Sequence, residues 1–426
     1  MGFYHGLSGL NAASKNLDVI GHNIANSNTV GFKHSRAEFN EMVASAMGAS
    51  SSTNTGIGVS VAAVSQQFTQ GVTTPSANGL DMAINGDGFF VVQTGTGTAY
   101  TRNGAFQLNK AGELVTVNGD KVQGYTVDPT TGLRTSVALS NLVFPAGTPI
   151  PAKQTSTVTA TLNLDARVDQ NAVPAPARST YGTSLEVFDE QGMATPLSMY
   201  FQKSGANTWT VYDSLDPNAM PIGQMVFSST GKLQTVAAYS GATDPGGLNP
   251  GDAGYVPQFA APTGTTLTTT VTTTNPNPGP WPVDIDLGKV TQMGSAFSVA
   301  KLTQDGYATG ELTAVNVASD GTLLATYSNG VTRAEAQLAL AKFTNSQGLQ
   351  PDGNNNWVAS NDSGPPVYGS AGSGSFGVIQ GNALEESTVD LTAQLVGMMT
   401  AQRAYQANAQ TIKTQDQVFS TLVNLR

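Results

Sequence analysis

Apolar residues at the start of the chain fall at Phe3, Leu7, Leu10, Leu17 and Ile24, alternately four and three apart once Ser14 and Gly21 are admitted as weak members. That spacing is a heptad seam on a helix, and Ile20 completes its apolar set. Gly6, Gly9 and Gly21 lie inside the same segment, and each interior glycine costs about 1 kcal/mol relative to alanine. Alone, this helix is expected to melt.

A matching seam closes the chain, at Leu384, Leu391, Leu395, Met398, Tyr405, Ala409, Ile412, Phe419 and Leu422, with Thr388, Gln402 and Asp416 as polar members. Its start is marked either by Asn382 with Glu385 or by Ser387 with Asp390, each resembling a capping box, with acids that suit the positive end of the helix dipole. At ~1.5 Å per residue this helix would run roughly 60 Å, twice the first one. Small residues at Ala393, Gly397, Ala401 and Ala404 form a second stripe nearly opposite the Leu/Met seam. The helix therefore has two contact faces, one for the N-terminal helix and one for close approach of a neighbour.

Between the helices the period changes to two. Short runs around Val91, Tyr100–Arg102, Ala105–Leu108, Glu113–Val117 and Lys121–Val127 are separated by Asn103-Gly104, Lys110-Ala111-Gly112 and Asn118-Gly119, which predicts hairpins. A similar series returns from Leu312 to Phe343, punctuated by Asp320-Gly321 and Asn329-Gly330. The two blocks are expected to form one β domain. From about Pro149 to Pro282 lies a third set of strand-like runs, bounded on its far side by a Thr/Pro/Asn tract whose missing amide donors argue against a central strand.

The predicted fold class is thus multi-domain α+β: a terminal α-helical coiled-coil layer (1–30 and 383–426) enclosing a split mainly-β domain (71–148 and 284–361), with a further inserted mainly-β domain (149–283). Segments 31–70 and 362–382, rich in Ser and Gly, read as linkers.

Composition narrows the function. Charged residues make up 11% of the 426-residue chain and the formal net charge is −10. No Lys/Arg cluster supplies the positive stripe that nucleic acid or anionic lipid requires, so neither is expected as a partner. There is no cysteine, which removes disulfides, thiolate metal sites and thiol nucleophiles. The first residues lack the pattern of a secretory signal peptide, and no stretch has the length and apolarity of a membrane span. A Thr/Gly/Asn-rich body without a standard leader points to a specialised exporter.

Candidate chemistry is sparse. His5, His22 and His34 are the three histidines, and none stands in a metal-ligand pair. Asp284 and Asp286 alternate with Ile285 and Leu287 and would share one strand face, read as a solvated face rather than a cation site or acid/base pair. Asp87, in Asn85-Gly86-Asp87-Gly88, reads as a turn residue capping its own backbone. No enzyme class and no cofactor or metal emerges.

Three segments together resemble the flagellar axial proteins, the family of rod, hook and junction subunits. They are GHNIANSNTVGFK (Gly21–Lys33), LDMAINGDGFFVV with YTRNGA (Leu80–Val92, Tyr100–Ala105), and AQRAYQANAQTIKTQDQVFSTLVNLR (Ala401–Arg426). Ala25, Asn26, Asn28, Thr29, Gly31, Phe32 and Lys33 match the family's N-terminal signature. Thr303–Asn345 is similar to the hook branch, and the large insertion favours hook over the alternative of a distal rod subunit. A secreted β-rich adhesin or enzyme is a more remote reading.

The resemblance implies a non-enzymatic building block exported unfolded by the flagellar type III apparatus. It would self-assemble into a curved, flexible tube that transmits torque as a universal joint between rod and filament, in the hook of the bacterial flagellum beyond the cell. Implied partners are further copies of the chain, the distal rod subunit, the hook cap or scaffolding protein, the hook–filament junction protein, the hook-length control protein and the export apparatus. The helices would line the inner tube, with the Leu/Met seam buried within a subunit and the small-residue stripe between subunits. Phe32, Lys33, Phe39 and Met42 are candidates for docking on neighbours or for local packing.

Overall fold

The computed structural model describes residues 2–42, 56, 58–129, 131–144, 147–169, 177–216, 218–242, 255, 257–262, 264–272 and 279–424. The chain divides into two units, one of Met1–Gly147, Leu312–Tyr327 and Thr332–Arg426, the other of Thr148–Glu311 with Ser328–Val331.

The first unit carries both helices, α1 (Gly2–Ala25) and α2 (Leu391–Asn424). Its sheet runs through Leu312–Val317, Thr322–Tyr327, Thr332–Lys342, Lys121–Thr126, Phe89–Thr94, Gly97–Thr101, Asn356–Val358 and Gln350–Gly353. Strand Thr332–Lys342 pairs with both Phe89–Thr94 and Lys121–Thr126, so the early and late β blocks share one sheet.

Alternation buries both faces of this sheet. Phe90, Val92, Leu338 and Leu340 enter one apolar cluster. Phe89, Val91, Ala339 and Ala341 enter another, where Phe89 meets Phe68, Phe343 and Trp357 edge to face.

Turn glycines sit where the chain needs a left-handed backbone: Gly112, Gly119 and Gly321 have φ of 78°, 90° and 81° and close the hairpins predicted at those positions. Asn103-Gly104 is different. The flanking strands Gly97–Thr101 and Phe106–Leu108 do not pair with each other. Gly104 instead lies against the Met82 backbone, accepting its amide at 3.0 Å and leaving no room for a Cβ.

Segments 31–70 and 362–382 are not plain linkers. Ser35–Met42 and Gly58–Gln66 form an antiparallel hairpin, Val367–Ser370 pairs with Thr332–Lys342, and Val378–Gly381 pairs with Met82–Asn85. Their Ser/Gly content hid short strands, one of which, Val378–Gly381, has its partner far away in sequence.

In the second unit a six-stranded antiparallel sheet (Gly182–Phe188, Ala194–Gly205, Thr208–Tyr212, Gly223–Phe227, Leu233–Ala242, Pro257–Phe259) is joined by a five-stranded one. The latter is built on Thr157–Asp165, with Thr266–Val271, Trp281–Asp286, Thr291–Met293 and Ser298–Gln304. A single apolar cluster draws Met199, Phe201 and Trp209 from the first sheet and Leu162, Leu267 and Ile285 from the second, the core of a β-sandwich.

The predicted end of the insertion at 283 is therefore corrected to Glu311. Trp281–Asp286 is a central strand despite Pro282, because its parallel neighbour starts pairing only at Asp284, beyond the position of the missing donor. Asp284 and Asp286 lie on its outward face, where Asp284 accepts from the Thr268 hydroxyl at 2.6 Å and Asp286 from the Gly288 amide at 2.9 Å.

Candidate assembly interface

The amide of Ala393 donates to Asp390 Oδ1 at 3.1 Å, and that of Gln394 to the Asp390 carbonyl at 2.9 Å. Asp390 is thus the cap of α2. Neither predicted box starts the helix: Asn382 takes a left-handed φ of 55°, and Ala383–Glu385 is a strand on Thr73–Pro75. With 34 residues α2 spans about 51 Å at ~1.5 Å per residue.

The two helices lie antiparallel and meet through small residues. A Cβ added at Gly6 would sit 2.9 Å from Ile412 Cγ1, one at Gly9 2.8 Å from the Asn408 amide, and one at Gly397 3.5 Å from Ile20 Cδ1. Ala12, Ala13 and Ile20 are buried on α1, and Ala401, 4% exposed, on α2. Glycine in α1, costly for the isolated helix, lets α2 approach closely. Asn23 is also buried, bonding Ser35 through both its amide nitrogen and oxygen and Gln394 through the nitrogen. Sequence reasoning missed Asn23, since a lone polar residue beside the seam carries no signal of its partners.

Within the chain the two faces are distributed differently from that expectation. Gly397 and Ala401, assigned to contacts between subunits, face α1 within the chain. Ala393 is exposed, and Ala404 borders a groove of about 330 Å³ with Ala12, Phe39, Val59, Ala401 and Asn408.

Much of the large seam instead points outward. Leu391, Leu395 (47% exposed), Tyr405 and Phe419 (58%) are exposed on α2, as are Val396, Met399 (53%) and Val418, which the heptad reading did not single out. Phe3, Tyr4 and Leu7 extend the surface on α1, while Leu10, Leu17, Ile24 and Met398 are half-buried and Ile412 packs on Gly6. The Leu422 side chain lies outside what is described. The physical reason is geometric: two helices bury one narrow stripe each, and large residues at the shared stripe would hold them 8–10 Å apart.

The signature segment forms the base of the helical pair. Ala25 ends α1. The Asn26 side chain donates to the His22 carbonyl at 2.9 Å and accepts from Thr29 at 3.2 Å, while Asn28 is exposed. Gly31 has φ 68°, donates to the Glu385 carbonyl at 2.8 Å and leaves no space for a Cβ beside the Arg102–Asn103 peptide. Phe32 and Lys33 pack locally, Phe32 beside the His22 ring, whereas Phe39 and Met42 stay exposed on the hairpin.

Lys33, 1% exposed, bonds Glu385 Oε1 and the Thr69 carbonyl, both at 2.6 Å. Glu385 also receives the Gly71 amide at 2.7 Å and Arg102 Nη1 at 3.1 Å. Burial pulls the Lys33 ammonium below its ordinary pKa; Glu385 opposes that pull by charge and hydrogen bond, and Arg102 reinforces it. Asp87, expected to cap its own turn, pairs with Lys342 at 2.8 Å.

Four family models cover the chain in order: flagella basal body rod protein (residues 3–33), flagellar hook protein FlgE/F/G D1 domain (83–162), flagellar basal body protein FlaE D2 domain (161–307) and flagellar basal body rod FlgEFG protein C-terminal (380–425). Flagellar hook protein FlgE of Escherichia coli K12 is 38% identical, with 100% of each chain covered, as is that of Salmonella typhimurium LT2. The FlgE of Treponema pallidum is 32% identical, with 99% of each chain covered. A helical base of flagellar rod type, a split β unit and an inserted β-sandwich, matched end to end by hook subunits, place this chain in the flagellar hook protein family.

Proposed function

We propose that the chain, a structural subunit of the bacterial flagellar hook, works by completing its terminal helices with those of other copies. The observation that carries this reading is the row of large apolar side chains left uncovered along α2, with Leu395, Met399 and Phe419 each about half exposed or more. Covering the exposed part of each contributes roughly half of the ~1.5–3 kcal/mol that full burial of such a side chain is worth. A row of them on every subunit drives association, while the Gly/Ala stripe sets the close approach of α1 and α2 within each subunit. Electron microscopy of the purified chain under polymerising conditions tests this directly: tubes of uniform width support it, and persistent monomers with intact termini contradict it.

Flexibility follows from the charge-poor surface. With 11% charged residues, outer faces of neighbouring subunits make many near-equivalent contacts, whereas fixed ion pairs would favour one register. Such a tube bends while it turns, as a universal joint must. Hooks given several opposite-charge pairs between outer faces should straighten or stiffen.

Delivery is by the flagellar type III route, with the chain unfolded in transit; the glycine-weakened α1 and the absence of cysteine suit that passage. At the ends of the tube the same helical faces would meet the distal rod subunit and the hook–filament junction protein. The cap or scaffolding protein and the length-control protein would act during growth. A secretion assay that follows the full chain in export-deficient cells tests the route independently of assembly.

A further inference from the structure

The cluster around Glu385 is buried and its charges are unequal. Lys33 and Arg102 both pair with the one carboxylate, their side chains 1% and 5% exposed, and Arg102 Nε is buried without a hydrogen-bond partner. Either cation enclosed without that carboxylate would be strongly disfavoured.

The contacts also span the chain: 352 positions separate Lys33 from Glu385, and 283 separate Arg102 from it. Around the cluster, segment 31–34 also docks on 385–388 through its backbone. Gly31 donates to the Glu385 carbonyl at 2.8 Å, Thr388 to the Phe32 carbonyl at 3.1 Å, and His34 to the Thr388 hydroxyl at 2.9 Å. α1 ends just before this node and α2 begins just after it.

The β cores need nothing so late. The last member of their apolar clusters is Ile379, and among the described buried residues Ala383, Glu385 and Ala401 alone come after it.

We propose that the Lys33–Glu385–Arg102 cluster is a completion latch: until Glu385 arrives, Lys33 stays solvated and the base of α1 unanchored. Its closure fixes where both helices leave the β unit and makes the subunit competent to join others. The proposal rests on the export reading, in which residue 33 leaves the channel long before residue 385. A subunit still in transit thus holds a folded or folding β body without an anchored helical pair, and it cannot add to the tube before its C-terminal segment is free.

The test refolds the full-length chain from denaturant with two clocks. Fluorescence of Trp209, Trp281 and Trp357, all buried in β units, reports the cores. Pulsed amine labelling read by mass spectrometry reports Lys33, with exposed Lys15 as reference. In the wild type, Lys33 protection should lag the tryptophan signal at least threefold, and polymerisation competence should follow Lys33. In Glu385→Gln the tryptophan clock should run as in the wild type while Lys33 stays labelled at least tenfold more and polymers are lost. Simultaneous protection of Lys33 and the cores in the wild type, as expected of a purely stabilising ion pair, overturns the proposal, as does normal polymerisation of the variant. Should the variant not regain its tryptophan signal, the order of the two clocks in the wild type decides alone. No exporter takes part, so failure of the export reading would appear in secretion and leave these rates unchanged.

Discussion

Ile20 sets its Cδ1 methyl on Gly397, 3.5 Å from where a Cβ would stand. The contact joins a β-branched residue of one chain end to a glycine of the other and fixes the register of α1 against α2. Gly397→Leu, or Ala401→Leu one turn on, would overpack the pair by about 1–3 kcal/mol. Unfolding of the β units followed by tryptophan fluorescence should not change, while polymer yield measured by sedimentation should fall at least tenfold.

The exposed seam predicts the opposite separation of effects. Leu395→Ser combined with Met399→Ser removes apolar surface that nothing covers in the single chain, so the monomer should unfold within about 0.5 kcal/mol of the parent. Loss of burial in the polymer should raise the critical concentration roughly 10- to 100-fold, since each side chain is about half exposed and would gain only about half of the ~1.5–3 kcal/mol of full burial. Light scattering against concentration measures this.

Asp305 makes the inserted unit acid-sensitive. Burial raises its pKa, but the amides of Thr157 and Ser156, the Ser156 hydroxyl and Lys153 outweigh that and hold it at about 2. A carboxylate with a depressed folded pKa contributes stability that is present above its unfolded value, near 3.8, and lost as pH falls towards 2. Asp305→Asn should cost about 1–2 kcal/mol at pH 7, and the difference between variant and parent should shrink between pH 4 and pH 2 in urea unfolding.

Trp209 is buried and donates its indole N–H to Gln292 Oε1 at 3.0 Å. Gln292→Leu leaves that donor unsatisfied and should destabilise the sandwich by about 1–3 kcal/mol. Because the pair lies inside the inserted unit, polymerisation at temperatures where the unit stays folded should be unaffected.

How much of this was legible in the sequence depends on range. Helical periodicity and turn glycines are local, so both terminal helices and the hairpins at Gly112, Gly119 and Gly321 could be read directly. The strand around Pro282 could not, because the neighbour that excuses its missing donor lies some 120 residues earlier. Heptad spacing shows which residues are apolar but not what covers them; hence Ala401 is buried within the chain while Leu395 stays half exposed. The Lys33–Glu385–Arg102 cluster joins three residues that are individually unremarkable in sequence. Lys33 was singled out as a family match and a candidate for docking or local packing, and Glu385 as a helix cap; only the folded chain shows the buried pair they form.

The central claim is that the helical ends are completed by other copies, and amide hydrogen exchange on monomer and polymer tests it most directly. Protection across Gly2–Ala25 and Leu391–Asn424 should rise at least tenfold on assembly while the strands around Phe90 and Trp209 change little. Equal protection of both helices in monomer and polymer would contradict it.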